Sequence, residues 1–111
     1  NHKMANTFKL KTKANVGVST VGIYTAPAAT TTVVIGITMA NTSGSGVNVG
    51  VGITRASAED IKLLKNAPLP QGSSLEFMAG NKVVLEATDT ITVDSDANNS
   101  VDTALTIMEI T

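Results

Sequence analysis

Thr31-Thr32-Val33-Val34-Ile35-Gly36-Ile37-Thr38-Met39-Ala40 and, six residues later, Val47-Asn48-Val49-Gly50-Val51-Gly52-Ile53-Thr54 set the fold class of this chain. In the first segment Val33, Ile35, Ile37 and Met39 fall on one face of an extended chain, and Thr32, Val34, Gly36 and Thr38 on the other. Repetition at every second residue is the mark of a strand, and Val34 on the second face implies that both faces are partly covered. In the second segment four β-branched residues alternate with Asn48, Gly50, Gly52 and Thr54. Such side chains are stiff at χ1 and pack well on a pleated surface. Between them, Asn41-Thr42-Ser43-Gly44-Ser45-Gly46 supplies residues that tolerate positive φ, so the two segments read as a hairpin.

The same period extends outward in both directions. Toward the N-terminus, Val21-Gly22-Ile23-Tyr24 alternates and stops at Ala26-Pro27-Ala28-Ala29, because proline lacks a ladder donor. Before it, Phe8-Lys9-Leu10-Lys11-Thr12-Lys13 places apolar and Thr side chains on one face and three lysines on the other, as in a half-exposed edge strand. Toward the C-terminus, Arg55 to Asp60 reads as a loop. Ser57 to Lys65 offers a short helix with Ser57 as N-cap and Asp60 three residues on, but a strand at Ile61 to Lys65 is favoured. Asn66 to Gly72, with two prolines, reads as a stiff connection. Strands follow at Ser73 to Phe77, at Lys82 to Glu86 after a turn at Ala79-Gly80-Asn81, at Thr90 to Val93, and at Val101 to Ile110 beyond the Asp94 to Ser100 loop. About eight short strands at this spacing, without helical periodicity or an internal repeat, predict an all-β domain: an antiparallel β-sandwich or jelly-roll-like barrel.

Length and composition narrow the rest. A chain of 111 residues suffices for one modest core. Residues 1–3 (Asn1-His2-Lys3) have the look of a tag remnant before a start at Met4, leaving 4–111 as a single β-sandwich domain. Aromatic residues are 3% of the chain, with no Trp and one Tyr, so aliphatic side chains must fill the interior. Charged residues are 15%, against roughly 25% in a typical domain, which leaves a surface of hydroxyls and amides. A net charge of −1 provides no field for phosphate neutralisation, so no nucleic acid is expected as partner. The longest apolar run, around Val33 to Ala40, falls far short of the roughly 20 residues that span a bilayer; no basic segment with a following apolar stretch opens the chain, and a soluble form without a membrane partner is expected. The absence of cysteine removes disulfides, thiolate metal sites and thiol nucleophiles.

Few constellations could carry chemistry. Asp94-Ser95-Asp96-Ala97-Asn98-Asn99 opens like a calcium loop, but Asn99 stands where that loop needs Gly and Leu105 where it needs Glu. A loose site from Asp94, Asp96, Asn98 and Asp102 is a weak candidate, and a solvated turn is the simpler reading. The acidic pairs Glu59 with Asp60 and Glu86 with Asp89 lie at loop or strand ends, where solvated charge is the usual explanation, so neither catalysis nor a cofactor is expected. Gly50 and Gly52 share one face of a strand and permit close approach of another backbone, from a neighbouring subunit or strand. Lys9, Lys11 and Lys13 are a second interface candidate, although edge lysines more often block unwanted pairing. A glycan-binding adhesin or carbohydrate-binding module is the alternative function, but it generally needs exposed Trp or Tyr to stack on a sugar, and this chain offers Tyr24 alone.

The order of segments resembles small virion proteins of tailed bacteriophages, including phages of marine bacteria and cyanobacteria. The likeness is carried by Tyr24-Thr25-Ala26-Pro27-Ala28, the Thr-rich run Thr30 to Gly36, Ala40-Asn41-Thr42, Asn66 to Leu75, Gly80 to Glu86, Asp89-Thr90-Ile91 and the closing Met108-Glu109-Ile110-Thr111. It implies a non-enzymatic structural or accessory protein of the virion, placed in the tail, neck or fibre or as a capsid decoration. It implies contacts with other virion proteins and with itself, in a homo-oligomer for which phage symmetry suggests a trimer. It transfers no catalytic residue.

Overall fold

Strands with one apolar face must bury it against another layer, and the computed structural model, which describes residues 6–56, 58–77 and 82–111, does so with two sheets. The strands are β1 (Asn6–Val16), β2 (Val21–Thr25), β3 (Thr31–Asn41), β4 (Val47–Thr54), β5 (Ile61–Leu69), β6 (Ser74–Phe77), β7 (Val83–Leu85), β8 (Thr90–Ser95) and β9 (Val101–Ile110). Sheet A has the order β1-β9-β3-β6, with β7 also on β3; sheet B has the order β2-β8-β4-β5. Every pairing is antiparallel. β6 pairs with Ile37–Ala40 and β7 with Thr32–Val34, so the two are halves of one edge strand. Counted that way the chain has eight strands that pass repeatedly between the layers. Each sheet sets its first strand beside its last, which is the topology of a jelly roll. The fold is all-β, with no helix among the described residues.

The core is almost wholly aliphatic. Val34, Ile37 and Met39 of β3 and Leu105 and Ile107 of β9 meet Val49 and Val51 of β4 and Ile91 and Val93 of β8, all essentially without solvent contact. Tyr24 is the one aromatic residue in this buried cluster.

Three local features differ from the pattern in the sequence. The segments Thr31–Ala40 and Val47–Thr54 do not form a hairpin: β3 lies in sheet A and β4 in sheet B. The turn between them is a crossover, held by Asn41, whose Nδ2 donates to the carbonyls of Ser45 and Leu69 at 2.9 Å while its Oδ1 accepts from Ser43 N and Oγ. Both strands present apolar faces that need each other across the sandwich, and burial outweighs the turn signal. Second, β3 changes phase. Thr32 and Val34 are buried, then Ile37, Met39 and Asn41, because a bulge between Val34 and Gly36 inserts Ile35 without a partner on β9. Third, the strand at Ile61 runs on through Asn66-Ala67-Pro68 to Leu69, where a connection was expected. β5 is an edge strand, so Pro68 lacks no inward donor, and Asn66 takes the positive φ of 54° that the irregular register demands. The tag-like residues 1–3, the N-cap position Ser57 and the turn Ala79-Gly80-Asn81 lie outside the described residues.

Candidate functional site

A polar cluster inside the sandwich joins the two sheets at the β1 end. Tyr24 Oη donates to Glu109 Oε2 at 2.5 Å and shares a 2.8 Å hydrogen bond with Thr32 Oγ1. The other carboxylate oxygen, Oε1, meets Lys9 Nζ at 2.9 Å. Tyr24 is 7% and Glu109 8% exposed. Burial, then the neighbouring carboxylate, pushes the Tyr24 hydroxyl up to about 12, while the hydrogen bond from Tyr24, then that from Lys9, holds Glu109 below the ordinary carboxylate range. A tyrosine this hard to ionise is a poor base and a poor nucleophile at neutral pH. The cluster is suited to clamping β1 and β9 onto β2.

Several other acidic groups are held in the same structural way. Arg55 sits between Glu86 and Asp89, at 2.6 and 3.3 Å, and buried Asp89 also accepts from the backbone N of Glu86 at 3.0 Å. Asp60 accepts from Arg55 N at 3.3 Å. The four calcium-loop candidates point apart. Asp94 accepts from Thr20 Oγ1, Asp96 from Asn48 N and Asp102 from Asn15 N, and the Asn98 side chain lies beside Gly17. Among the described residues no three acidic or histidine groups gather closely enough to hold a metal ion.

Gly50 and Gly52 are buried on β4. A Cβ at Gly50 would stand 2.6 Å from Asp94 Oδ1 and 3.2 Å from the Leu64 carbonyl; at Gly52 it would stand 2.9 Å from the Ile61 carbonyl. The close approach that these glycines permit is made by this chain's own β5 and β8. Lys9, Lys11 and Lys13 do lie on an edge strand, but their register partners Ile107, Leu105 and Thr103 belong to the core-facing side of β9. The lysines therefore share the inward side of sheet A, at a margin that sheet B leaves open.

It follows that the apolar side of β1 looks outward. Phe8 is 68% and Leu10 64% exposed. Phe8 pairs with Met108, Met108 with Val33, and Val33 with Val84, itself 55% exposed. The result is an unbroken apolar row across all four strands of the outer face of sheet A. Farther along the strands, Leu10, Thr106 and Gly36 form one row, with the bulge residue Ile35 beside Gly36. In the next row, Thr12, Ala104, Thr38 and Glu76, small residues predominate. A shallow depression of about 350 Å³ is lined there by Thr12, Ala14, Thr38, Ala40, Asp102 and Ala104. The outer face of sheet B is different in kind. Thr54, Thr90 and Thr25 share one row, and Gly52, Thr92 and Gly22 the next; Thr25 and Thr90 are hydrogen-bonded at 2.8 Å, and Lys62 approaches Asp94 at 3.8 Å.

Reading the sequence strand by strand missed the apolar row. Its signal was the lone Val84 on the far side of Val83 and Leu85, and Met108 and Phe8 at matching positions of the last and first strands. Only the pairing of β1, β9, β3 and β7 makes them one surface.

No protein-family model and no curated protein matches the chain. Solved structures do. The fold is similar to that of a chain from Bacillus endospore appendages, described as forming disulfide-linked pili, with a TM-score of 0.59 at 13% identity over 97% of this chain and 88% of that one. It is also similar to part of a chain of infectious bursal disease virus, Gx strain, with a TM-score of 0.54 at 11% identity over 98% of this chain and 33% of that one. A chain of the cyanophage Pam1 capsid aligns over 97% of this chain and 89% of its own at 14% identity, with a TM-score of 0.45. At such identities the likeness is one of fold alone.

Proposed function

We propose that this chain is a non-enzymatic structural protein of a bacteriophage particle, acting through contacts with other virion proteins and with copies of itself. The observation that carries the reading is the contrast between the two outer faces of the jelly roll. One is largely polar, carrying Thr25, Thr54, Thr90, Lys62 and Asp94; the other bears an apolar row, exposed at Phe8 and Val84, that spans a whole sheet. Apolar patches of this kind on a small domain mark surfaces that another protein covers. Glu86, Asp89, Glu109 and Tyr24 serve the fold through ion pairs and hydrogen bonds. Support comes also from the resemblance to phage virion proteins and from the neighbours in fold, which belong to a virus and to a pilus.

Mass spectrometry of purified, nuclease-treated particles is the test. Recovery in stoichiometric amounts is expected, and antibody labelling then separates tail, neck or fibre placement from capsid decoration. Absence from intact particles would overturn the reading. A glycan array is expected to show no specific binding, since Tyr24 is buried and the chain has no Trp.

A further inference from the structure

The geometry points to the outer face of sheet A as a docking surface for a second copy of the same chain, the two sheets stacked face to face with their strands antiparallel. This deepens the reading above, from which it takes self-contact as the mode of action. The occupant follows from the relief and charge of the face. The protruding row Phe8–Met108–Val33–Val84 and the lower row Thr12–Ala104–Thr38–Glu76 lie on either side of the row Leu10–Thr106–Gly36. Met108 and Ala104 are four residues apart on β9, or about 13 Å at the rise of a strand. A two-fold axis along the middle row carries each protruding row onto the other copy's depression, which is the self-complementarity that an isologous interface requires.

Charge selects the same orientation. Two acids, Glu76 and Asp102, lie toward the depression end of this face, where Lys13 also lines the depression. Stacking with strands parallel would gather the acids of both copies at one end, whereas the antiparallel arrangement carries them to opposite ends. Four strands at about 4.8 Å spacing and the nine residues from Asp102 to Ile110 at about 3.3 Å give a face of roughly 500 Å². Two copies would bury about 1,000 Å² in total, which is where specific interfaces begin. The expected dimer is reversible and dependent on concentration.

Sedimentation velocity of the full chain from about 1 to 500 µM, concentrations that bracket a weak interface, should show a rise from monomer to dimer. Phe8→Lys and Val84→Lys, both at exposed positions, should abolish that rise with their circular dichroism and melting curves intact; Thr54→Lys on sheet B should leave it unchanged. Because the chain has no cysteine, single-cysteine variants report orientation. Thr106→Cys, next to the axis, should give a covalent dimer with a short bis-maleimide, whereas Ile110→Cys, placed about 27 Å from its mate by strand geometry, should not. A monomer at every concentration, an undiminished dimer in folded Phe8→Lys, or equal cross-linking at 106 and 110 would overturn the inference. Particle mass spectrometry reads the functional proposal separately. A chain present in virions but monomeric in solution refutes the docking alone, and a dimer absent from virions refutes the proposed function alone.

Discussion

Replacing Tyr24 by phenylalanine removes one oxygen and leaves the core shape intact, so its effect isolates the clamp between the sheets. The lost hydroxyl donates to a buried carboxylate at 2.5 Å and shares a hydrogen bond with Thr32. Hydrogen bonds to charged groups contribute about 1.5–3 kcal/mol net, and Glu109 would keep only Lys9. A loss of about 2 kcal/mol at pH 7 is expected. The effect has a sign in pH. The folded state raises the Tyr24 pKa from 10 to about 12, so its contribution is complete below pH 10 and is lost as pH climbs from 10 to about 12. Two units correspond to about 2.7 kcal/mol. On the acid side Glu109 is held below its ordinary value, first by Tyr24 and then by Lys9; that contribution is complete above the unfolded carboxylate pKa and disappears as pH falls through the depressed one. Urea unfolding followed by circular dichroism from pH 3 to 11.5 should show wild type and Tyr24→Phe separated by a plateau that narrows at both ends. Since Tyr24 is the only tyrosine, ultraviolet titration of the native protein reads its ionisation directly. A midpoint near 10, or a gap constant from pH 8 to 11.5, would refute the reasoning.

Other substitutions probe the packing. Leu105→Ala empties a fully buried site on β9 and should cost about 3 kcal/mol in urea unfolding at pH 7. Thr103 Oγ1 is buried with no hydrogen-bond partner among the described residues; Thr103→Val keeps the shape and should stabilise by about 1 kcal/mol, raising the thermal midpoint. Gly52→Ala sets a methyl 2.9 Å from a backbone carbonyl that cannot swing aside. A loss of about 2 kcal/mol is expected, and a neutral result would mean that β5 shifts freely.

The strands were legible because their information is local. The alternation at 47–54 and 101–110 survives unchanged as β4 and β9, and Pro27 ends β2 where proline chemistry requires. Pairing was not legible, because it depends on which faces meet. The Asn41–Gly46 turn has the composition of a hairpin turn, yet it links different sheets; nothing in six residues records that choice. The phase of β3 was hidden by one inserted residue, Ile35. The docking face was hidden more deeply still. Phe8 and Leu10 looked like core residues and Lys9 and Lys11 like surface, but β9 inverts that assignment, since Glu109 reaches Lys9 from the inward side. Gly50 and Gly52 were legible as sites of close approach, and the approaching backbone is this chain's own β5.

That inversion also bears on the kind of assembly the chain can make. A sandwich has four sheet edges, each a template for adding strands. On β1 the inward lysines place charge where an added strand would have to pack. The opposite edge of sheet A is held by two short strands, β6 and β7. In sheet B, β5 carries Pro68 and two register shifts, and β2 is a five-residue strand with a bulge of its own. Growth by edge-to-edge pairing, the geometry of an open fibre, is therefore disfavoured along β1, β2 and β5, which favours association through the apolar face of sheet A. Face-to-face contact about a two-fold axis closes after two copies. A sedimentation profile that continued past the dimer into polymers would mean that one of these edges is less well protected than its residues imply.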